Sequence, residues 1–397
     1  MVDEPAVVTW RERSSSGELH EKVATWRSES GLPPPSRESI ATADDRTTAD
    51  AAMRLLRQGK FLLYTGDFVN ARQLLSALGR RLAKRGRVNP AAARSPAEIF
   101  RQERDLRAEE HRVLTRLLVP LDAEYRVALR RGIELRAACE PVWGPPPSSS
   151  FSSSSSEVTA LTVAPLRELL GMQGAAQWRE KGIEIPGLPG RLHPHYGVFT
   201  PTRGEYPELL ALAPAPTGKR VFDLGTGTGV LGFLMLARDA REVVATDVAP
   251  RAVACARDNA ERLGFADRFT VYEADLFPPV KEAKADLIVC NPPWLPLQPR
   301  TLIDRAVYDA EGLFLKRLLE GARSHLTPGG ECWIILSDLA ERIGLRAAGE
   351  FEAMVRDAGL AVKWTREVQP KHKRSSDPDD PLHAARSSEI VRLWCVA

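Results

Sequence analysis

The stretch from Val221 to Asn291 decides the fold. It begins Val-Phe-Asp-Leu-Gly-Thr-Gly-Thr-Gly at 221–229 and leads into Asn-Pro-Pro-Trp at 291–294. Asp247 and Asp275 stand at the ends of two further apolar runs between those limits. An apolar run that stops at a glycine-rich turn and continues as a helical pattern predicts the strand, loop and helix of a nucleotide-binding unit.

Strands and helices alternate in the apolar pattern from Arg220 to the end of the chain. This alternation predicts a mostly parallel sheet with helices on both faces, joined by right-handed crossovers. Only a loop separates the last two strands, which allows an antiparallel hairpin at the sheet edge. The predicted strands lie near 220–224, 242–246, 269–273, 286–290, 332–337, 360–367 and 390–396, and the predicted helices near 229–238, 249–263, 303–326 and 341–358.

The N-terminal half divides by composition into four segments. Residues 1–48 are rich in Ser, Arg, Glu and Pro, so we expect a mostly disordered segment with a short helix near 17–27. Helical spacing of apolar residues predicts a helical subdomain over 49–142. A Pro/Ser-rich linker is expected over 143–157, then a connecting region over 158–219 before the domain at 220–397.

Overall composition limits the class of protein. The chain has 397 residues, of which 43% are hydrophobic, and its net charge of +3 neither demands nor excludes a polyanionic partner. Five widely spaced cysteines without a C-x-x-C pair are typical of buried thiols in a reducing compartment and predict no metal site. Because no signal-peptide region or membrane-spanning run is visible, we expect a soluble, cytoplasmic protein without a membrane partner.

Arginine-rich stretches in the N-terminal half raise the question of nucleic-acid binding. Between 95 and 138 the arginines are interleaved with acids, which favours a solvated face with i,i+4 ion pairs over an RNA-binding surface. A second run has fewer acids nearby and is the better candidate for a polyanion site, although solvation is the more common explanation. It consists of Arg80, Arg81, Lys84, Arg85 and Arg87.

Three features of the glycine loop point away from a nicotinamide dinucleotide. The glycines follow G-T-G-T-G spacing instead of G-x-G-x-x-G, Asp223 lies directly before the turn, and the next two strands also end in acids. Asp247 is placed to accept both hydroxyls of a ribose, a role compatible with capping the following helix. Asp275 can accept a hydrogen bond from an adenine amine, but alone it would be an ordinary loop aspartate.

The Asn-Pro-Pro-Trp loop at 291–294 is the most specific signal in the chain. It follows an apolar strand at the sheet edge where open α/β folds bind ligands. An amide side chain and a proline carbonyl can accept two N–H bonds from a substrate NH₂ group, and Trp294 can stack on the flat group that carries it. These contacts suit methylation of a planar nitrogen, because they help localise its lone pair. A proline-stiffened turn with a core Trp is the structural alternative.

These motifs resemble the class I S-adenosylmethionine-dependent methyltransferases with an Asn-Pro-Pro-aromatic loop, including the methyltransferase small domain proteins. Over 195–397 the chain is most similar to release-factor glutamine methyltransferases and rRNA N-methyltransferases. The resemblance implies a Rossmann-like seven-stranded methyltransferase sheet with an N-terminal helical domain, and S-adenosyl-L-methionine as cofactor. It implies an enzyme that N-methylates a planar NH₂ group of a macromolecule, either a protein glutamine or an rRNA base. A small-molecule methyltransferase and a non-catalytic cofactor-binding RNA or assembly factor are the alternatives.

The resemblance also implies roles for individual residues. Asp223, Gly225 and Gly227 would hold the methionine end of the cofactor, Asp247 the ribose, and Asp275 with Leu276 the adenine. Asn291, which also borders the cofactor, and Pro292 would bind the target nitrogen, with Pro293 and Trp294 completing the catalytic loop. The pre-motif at 197–206 resembles a segment that closes over the cofactor. The remaining residues expected at the cofactor site are Phe199, Thr200, Pro201, Arg203, Thr226, Gly229 and Val248.

The loop that follows the predicted strand at 360–367 is expected to overhang the substrate pocket. If that strand runs parallel to the core, its carboxyl end points to the ligand edge of the sheet. His372, His383 and Arg386 in this loop are therefore candidate substrate contacts, with a solvated turn as the alternative for each. The expected partner is a macromolecular substrate, protein or RNA, and the sequence leaves the oligomeric state open.

Overall fold

Two compact units make up the chain. The computed structural model describes residues 6–13, 18–85, 93–146, 161–201, 204–279, 284–301, 303–371 and 374–397. The N-terminal unit comprises Met1–Val88 and Gln102–Gln177, and the C-terminal unit comprises Asn89–Arg101 and Trp178–Ala397. Among the helices in the described ranges, none combines the length and apolar character needed to cross a membrane.

A mixed sheet forms the centre of the N-terminal unit. Its strands are β1 (Val7–Arg13), β2 (Leu19–Trp26), β3 (Ile40–Ala43), β4 (Phe61–Tyr64), β5 (Leu117–Leu121) and β6 (Thr162–Pro165), in the spatial order β1-β2-β6-β5-β4-β3. β3, β4 and β5 run parallel to one another, as do β2 and β6, and the other neighbours are antiparallel. The helices that lie wholly or mostly in this unit are α1 (Ala49–Arg57), α2 (Phe68–Arg85), α3 (Pro96–Leu114), α4 (Arg136–Trp143) and α5 (Leu166–Lys181).

This sheet corrects the sequence expectation for the first 142 residues. The segment 1–48, expected to be mostly disordered, contains β1, β2 and β3, and β2 replaces the short helix predicted near 17–27. The predicted helical subdomain over 49–142 contains β4 and β5 between its helices. Val8 and Trp10 are buried while the residues between and after them are charged or polar. A strand with one apolar face needs few apolar residues, so low overall hydrophobicity does not exclude it.

The C-terminal unit contains a short ribbon and a larger sheet. The ribbon pairs β7 (Ile183–Glu184) with β8 (Arg191–Leu192). The sheet strands are β9 (Arg220–Leu224), β10 (Glu242–Asp247), β11 (Phe269–Glu273), β12 (Ala285–Cys290), β13 (Leu326–Ser337), β14 (Val362–Val368) and β15 (Val391–Val396). The helices are α6 (Glu205–Ala211), α7 (Val230–Leu236), α8 (Pro250–Arg262), α9 (Leu313–His325), α10 (Leu339–Arg342), α11 (Glu350–Asp357) and α12 (His383–Ser387).

The larger sheet has the strand order β11-β10-β9-β12-β13-β15-β14. Neighbouring strands from β11 to β13 are parallel, whereas β15 is antiparallel to both β13 and β14. The chain order reverses between β9 and β12, which creates the crevice where open α/β sheets bind ligands. The predicted Rossmann-like seven-stranded sheet is confirmed, together with the antiparallel hairpin at its edge.

Two apolar layers cover the faces of this sheet. Along β12, Leu287 and Val289 pack into the layer that contains α7 and α8, while Ile288 and Cys290 pack into the layer that contains α9 and α11. Burial on both faces explains why the strand is a continuous apolar run instead of an alternating one. Each such side chain contributes about 1.5–3 kcal/mol through removal from water, so the carboxyl ends of these strands are held rigidly.

Gly229 is the loop glycine at which a side chain fits least well. Its φ is +90°, and a Cβ at this position would lie 2.3 Å from Cε2 of Phe233. Phe233 is fully buried and contacts Phe265 and Phe269, so it has little room to move. We expect Gly229→Ala to lower the free energy of unfolding by about 2–4 kcal/mol, as measured by urea denaturation.

Gly227→Ala is the matched control for that prediction. Gly227 also has a positive φ, +55°, but a Cβ there would meet no atom within 4 Å. Only backbone strain then applies, and we expect a loss of about 1 kcal/mol. Equal losses in the two variants would contradict the proposed clash with Phe233.

Candidate functional site

The loop between β9 and α7 turns at its glycines and is open at Gly227. Gly225, Gly227 and Gly229 have φ values of +68°, +55° and +90°, and Gly229 is the N-cap of α7. The Gly229 N–H donates to the Thr226 carbonyl, and the Thr226 N–H donates to the carbonyl of Thr246 in β10. The loop is therefore fixed to the neighbouring strand, with an unobstructed surface above Gly227 where a ligand can approach the backbone closely.

Asp223 is buried beneath this loop, with an exposed fraction of 1%. Its Oδ2 accepts hydrogen bonds from the Thr226 hydroxyl at 2.6 Å and from the Gly232 N–H at 3.0 Å. Its Oδ1 is also buried and accepts no hydrogen bond from the described part of the chain. Burial raises the pKa of Asp223 to about 6, against the opposing effect of its two hydrogen bonds. A buried carboxylate oxygen without a donor fits the ammonium group of a ligand.

Asp247 connects the glycine loop to the start of α8. Its Oδ2 accepts from the Gly227 N–H and its Oδ1 from the Ala249 N–H, both at 2.9 Å. Burial raises the pKa of Asp247, while these backbone donors oppose the shift. Each oxygen retains a lone pair for a ligand hydroxyl, so anchoring the helix start and binding a ribose are compatible. Val248 follows with an exposed fraction of 56% and adds apolar surface beside the carboxylate.

The loop after β11 carries Asp275 and Leu276. Both oxygens of Asp275 accept from the Arg317 guanidinium, at 2.9 and 3.3 Å, in a solvent-exposed ion pair. Leu276 is buried with a φ of +74°, and its carbonyl accepts a hydrogen bond from the Thr246 hydroxyl. Arg317 lies on α9, and the sequence did not identify it. An amine that binds Asp275 must share the carboxylate with this arginine.

Asn291 is held by the tryptophan of its own loop. The Trp294 indole Nε1–H donates to Asn291 Oδ1 at 2.9 Å and to the Ile335 carbonyl at 3.2 Å. The indole is half-buried against both apolar layers and meets the Tyr206 ring edge-on at a centroid distance of 6.4 Å. The sequence predicted only stacking for Trp294 and did not reveal this hydrogen bond. Because an amide oxygen has two lone pairs, Asn291 Oδ1 can still accept a further N–H bond.

The segment after this loop differs from the helix predicted near 303–326. Two 3₁₀ turns, Ile303–Ala306 and Ala310–Gly312, come first, and α9 begins at Leu313. Asp309 is 4% exposed and accepts from the N–H groups of Phe314 and Leu315 at 2.8 and 3.1 Å, so it caps the helix. The Phe314 Cζ lies 3.7 Å from the position of a Cβ on Gly225, which brings an aromatic ring to the glycine loop.

Arg346 supports the Asn-Pro-Pro-Trp loop from within the fold. It is 5% exposed and donates to the Trp294 carbonyl at 3.4 Å. Burial lowers its pKa, and the nearby carboxylates of Glu350, Glu341 and Asp309 oppose that shift. A buried arginine among acids stabilises the loop only while those acids are ionised. The stability of the Asn-Pro-Pro-Trp loop therefore depends on the ionisation of these carboxylates.

The pre-motif is fastened to α8 and to the glycine loop. Val198 packs against Ala252 and Cys255 of α8. Asn259, fully buried on the same helix, donates to the carbonyls of Thr228 and His193 and accepts from the His193 N–H. Phe199 and Thr200 follow as half-buried residues and Pro201 as a buried one, while the predicted cofactor residue Arg203 lies outside the described residues.

The two histidines that precede the pre-motif have contacts within the fold. His193 Nδ1 lies 2.6 Å from the Arg179 carbonyl, and His195 Nε2 lies 3.0 Å from Asp258 Oδ2. Asp258 also accepts from the Arg179 guanidinium at 2.7 Å. Burial lowers the pKa of His195, although Asp258 opposes the shift. These contacts fix the approach to the pre-motif.

The loop after β14 lies at the expected edge of the sheet, but its Arg386 side chain is buried in an ion pair. Because β14 runs parallel to the central strands, its carboxyl end lies on the side of the glycine loop. Arg386 is 4% exposed and forms an ion pair with the buried carboxylate of Asp380, so it holds the loop together. His383 is half-buried, and its Nδ1 has no hydrogen-bond partner among the described residues. His372 lies outside those residues.

Comparison with known proteins identifies relatives of this arrangement. The profile of the methyltransferase small domain family matches residues 191–347. Release factor glutamine methyltransferases of Cereibacter sphaeroides and Geobacter sulfurreducens are 36% and 37% identical to this chain. These matches cover 40% and 43% of this chain and 59% and 60% of the relatives, so the chain spans about three fifths of their length.

A third relative is matched over most of its length. It comes from Methanocaldococcus jannaschii, carries the description "Putative protein N5-glutamine methyltransferase", and is 32% identical over 163 residues. The match covers 40% of this chain and 80% of the relative. The profile match includes the glycine loop, both strand-end aspartates and the Asn-Pro-Pro-Trp loop. The chain therefore belongs to the methyltransferase small domain family.

Proposed function

We propose that this protein is an S-adenosyl-L-methionine-dependent N-methyltransferase that acts on a planar NH₂ group of a macromolecule, with a protein glutamine as the favoured target. The observation that carries the proposal is the fixed amide of Asn291 at the carboxyl end of β12, two strands from Asp247 and next to Asp223 on β9. The names of the relatives favour glutamine over an rRNA base, which is the alternative target.

The residues around the glycine loop fit this cofactor. The donor-free Oδ1 of Asp223 suits the α-ammonium group, and the open surface above Gly227 allows close approach of the methionine part. Asp247 retains lone pairs for the ribose hydroxyls, and Val248 and Leu276 offer apolar surface for an adenine. When bound, the cofactor supplies a methyl group on a positively charged sulfonium.

The Asn-Pro-Pro-Trp loop binds and orients the target nitrogen in this proposal. Asn291 Oδ1 and the Pro292 carbonyl each accept one N–H of the target group, so both hydrogens are fixed and the nitrogen lone pair is directed away from them. Pro292 and Pro293 are buried and carry no backbone N–H that would compete for these acceptors. No strong base is needed before transfer, and the extra proton leaves afterwards to water.

Trp294 acts on the reaction through Asn291, and Trp294→Phe tests that positioning role. Phe keeps a ring in the apolar layers but removes the N–H that orients Asn291 Oδ1. We expect kcat to fall about tenfold with KM within about threefold, because a lost hydrogen bond of this kind is worth about 1–2 kcal/mol. Trp178→Phe, at an exposed tryptophan, is the control and should leave both constants unchanged. A threefold or smaller fall in kcat for Trp294→Phe would argue against the positioning role.

Labelled cofactor offered to separate substrate pools tests the proposed function. The pools are proteins of the translation machinery, total RNA, and the small-molecule filtrate of a lysate. We expect label in protein, at a glutamine side chain. Label found only in RNA would show that the target is an RNA base and not a glutamine. Label found only in the filtrate would contradict a macromolecular substrate. Calorimetry that shows tight cofactor binding, with no product in any pool, would favour a non-catalytic factor.

A cytoplasmic location is part of the proposal. All five cysteines are buried and unpaired by disulfides. Burial raises the pKa of Cys255 to about 12, so this thiol stays protonated and unreactive at neutral pH. Such thiols suit a reducing compartment.

A further inference from the structure

A basic groove lies on the N-terminal unit between α1 and α2. It encloses about 650 Å³ and is lined by Asp50, Met53, Arg54, Arg57, Gln58, Arg81 and Lys84. Four of these seven residues are cationic and one is acidic, which gives the lining a net charge of +3. Arg54 and Arg57 are three residues apart on α1, and Arg81 and Lys84 are three apart on α2. Residues at this spacing share a helix face, so each helix contributes a pair of cations.

Most of the positive charge on the described lining of the groove has no counter-charge among the described residues. Arg81 pairs with Asp50 at 3.0 Å, with both side chains substantially exposed. Arg54, Arg57 and Lys84 are exposed and form no ion pair within the described ranges. Like charges held close together repel, and an anionic ligand relieves that repulsion.

Other arginines of the same unit are arranged differently. Arg107 pairs with Glu103, Arg167 with Glu110, and Arg136 with Glu124 and Glu140. Arg130 and Arg131 pair with Asp45 and Asp67 at the carboxyl ends of β3 and β4. These arginines are neutralised by acids within the unit, whereas the groove brings three cations without such a partner together in one lining.

We propose that the α1/α2 groove binds single-stranded RNA through its sugar–phosphate backbone. This goes beyond the proposed methyl transfer and does not depend on it. Paired rows of cations on two facing helices match a chain of phosphates, each of which needs one counter-charge. The open volume admits a few nucleotides of a flexible strand, and none of the described lining residues carries an aromatic ring for base stacking. Binding is therefore independent of sequence and strongly dependent on salt.

Fluorescence anisotropy with the full chain and a labelled 12-nucleotide RNA of mixed sequence tests this. Between 50 and 300 mM KCl we expect log K to fall with log salt at a slope between about −2 and −3, as three or four phosphate contacts require. The double variant Arg57→Gln/Lys84→Gln should bind about tenfold more weakly at 100 mM salt, with the slope reduced by about 1.4.

The control variant removes the same charge from a different surface. Arg107→Gln/Arg136→Gln takes away two exposed, ion-paired arginines and should bind RNA like the wild type. Circular dichroism confirms that both double variants are folded. If both double variants lost the same amount of RNA affinity, net charge alone would explain the effect and the groove assignment would be overturned. Absence of RNA binding by the wild type would overturn it as well.

Acidic protein is the other class of partner that such a groove would accept. Poly-L-glutamate should compete poorly, because its flexible carboxylates are spaced differently from phosphates and are less strongly bound by arginine. If poly-L-glutamate of equal charge binds as tightly as RNA, and the Arg57→Gln/Lys84→Gln variant loses both equally, the RNA assignment is overturned. Single-stranded DNA is expected to show the same salt slope, since the contacts are to phosphates. Binding of DNA without binding of RNA would also overturn the RNA assignment.

Discussion

Asn291→Ala is expected to lower kcat for methyl transfer by about 10²–10³-fold. The variant removes the Oδ1 that the Trp294 indole orients and that accepts a target N–H in the proposed mechanism. Losing one preorganised hydrogen-bonding group in a water-excluded site has an effect of this size. The pKa of Asp223 and the shape of the glycine loop do not depend on Asn291, so cofactor affinity should change less than fivefold. Initial rates with labelled cofactor, and calorimetry of cofactor binding, measure the two quantities separately.

Asn291→Asp is the conservative comparison for this prediction. Its carboxylate can still accept from the Trp294 N–H and from the target, although the added charge changes the electrostatics of the site. The expected order of kcat is wild type, then Asn291→Asp, then Asn291→Ala. If Asn291→Ala turned over like the wild type with every substrate, Asn291 would have no part in binding the target nitrogen.

Asp223→Asn is expected to abolish measurable cofactor binding and to stabilise the ligand-free protein at alkaline pH. Burial raises the pKa of Asp223 to about 6, above its ordinary value of 3.8. Its contribution to stability is therefore fully present below about pH 4 and is lost as pH rises through 6. At pH 8 the buried charge costs about 3 kcal/mol, which an uncharged Asn avoids. Asn can keep the bonds from Thr226 and Gly232 through its carbonyl oxygen.

Urea denaturation without cofactor at pH 4.5 and pH 8 measures this effect. The difference in unfolding free energy between Asp223→Asn and wild type should grow from about 1 kcal/mol at pH 4.5 to about 3 kcal/mol in favour of the variant at pH 8. Calorimetry at pH 8 should show cofactor binding weakened at least 100-fold, because the ammonium group loses its counter-charge. If Asp223→Asn binds the cofactor as tightly as the wild type, Asp223 does not contribute to cofactor binding.

The C-terminal sheet could be predicted from sequence because its signals are local. Leu287 to Cys290 are consecutive apolar residues of a strand buried on both faces, and the glycines at 225–229 mark the turn that follows β9. Parallel strands place their carboxyl ends along one edge, so the sequence alone predicts that Asp223, Asp247 and Asn291 lie near one another.

The polar support of the site could not be predicted, because it depends on contacts distant in sequence. Asn259 bonds to Thr228 and His193, 31 and 66 residues away, and Arg346 reaches the Trp294 carbonyl across 52 residues. Arg317 reaches Asp275 across 42 residues. Each looks like an ordinary helical or loop residue in the sequence, and no local pattern separates these residues from solvated ones.

The N-terminal sheet was missed for a different reason. β3 and β4 are only four residues long, and Phe61–Tyr64 falls at a spacing from the flanking helices that continues a helical apolar pattern. Short apolar runs do not distinguish a buried strand from a helical turn. In the C-terminal unit, the position of Arg386 at the ligand edge was predicted from sequence, but its burial against Asp380 was not.

Mass spectrometry of proteins and RNA from cells with and without this gene tests the central claim most directly. Tryptic peptides and RNA nucleosides from the two strains are compared for any methyl group that is lost, and a strain carrying Asn291→Ala is compared beside them. The account predicts that a methyl mark on one glutamine side chain disappears in the deletion strain and stays absent with Asn291→Ala. The account would be contradicted if every peptide and nucleoside were methylated in the deletion strain and in the Asn291→Ala strain as in cells that carry the wild-type gene.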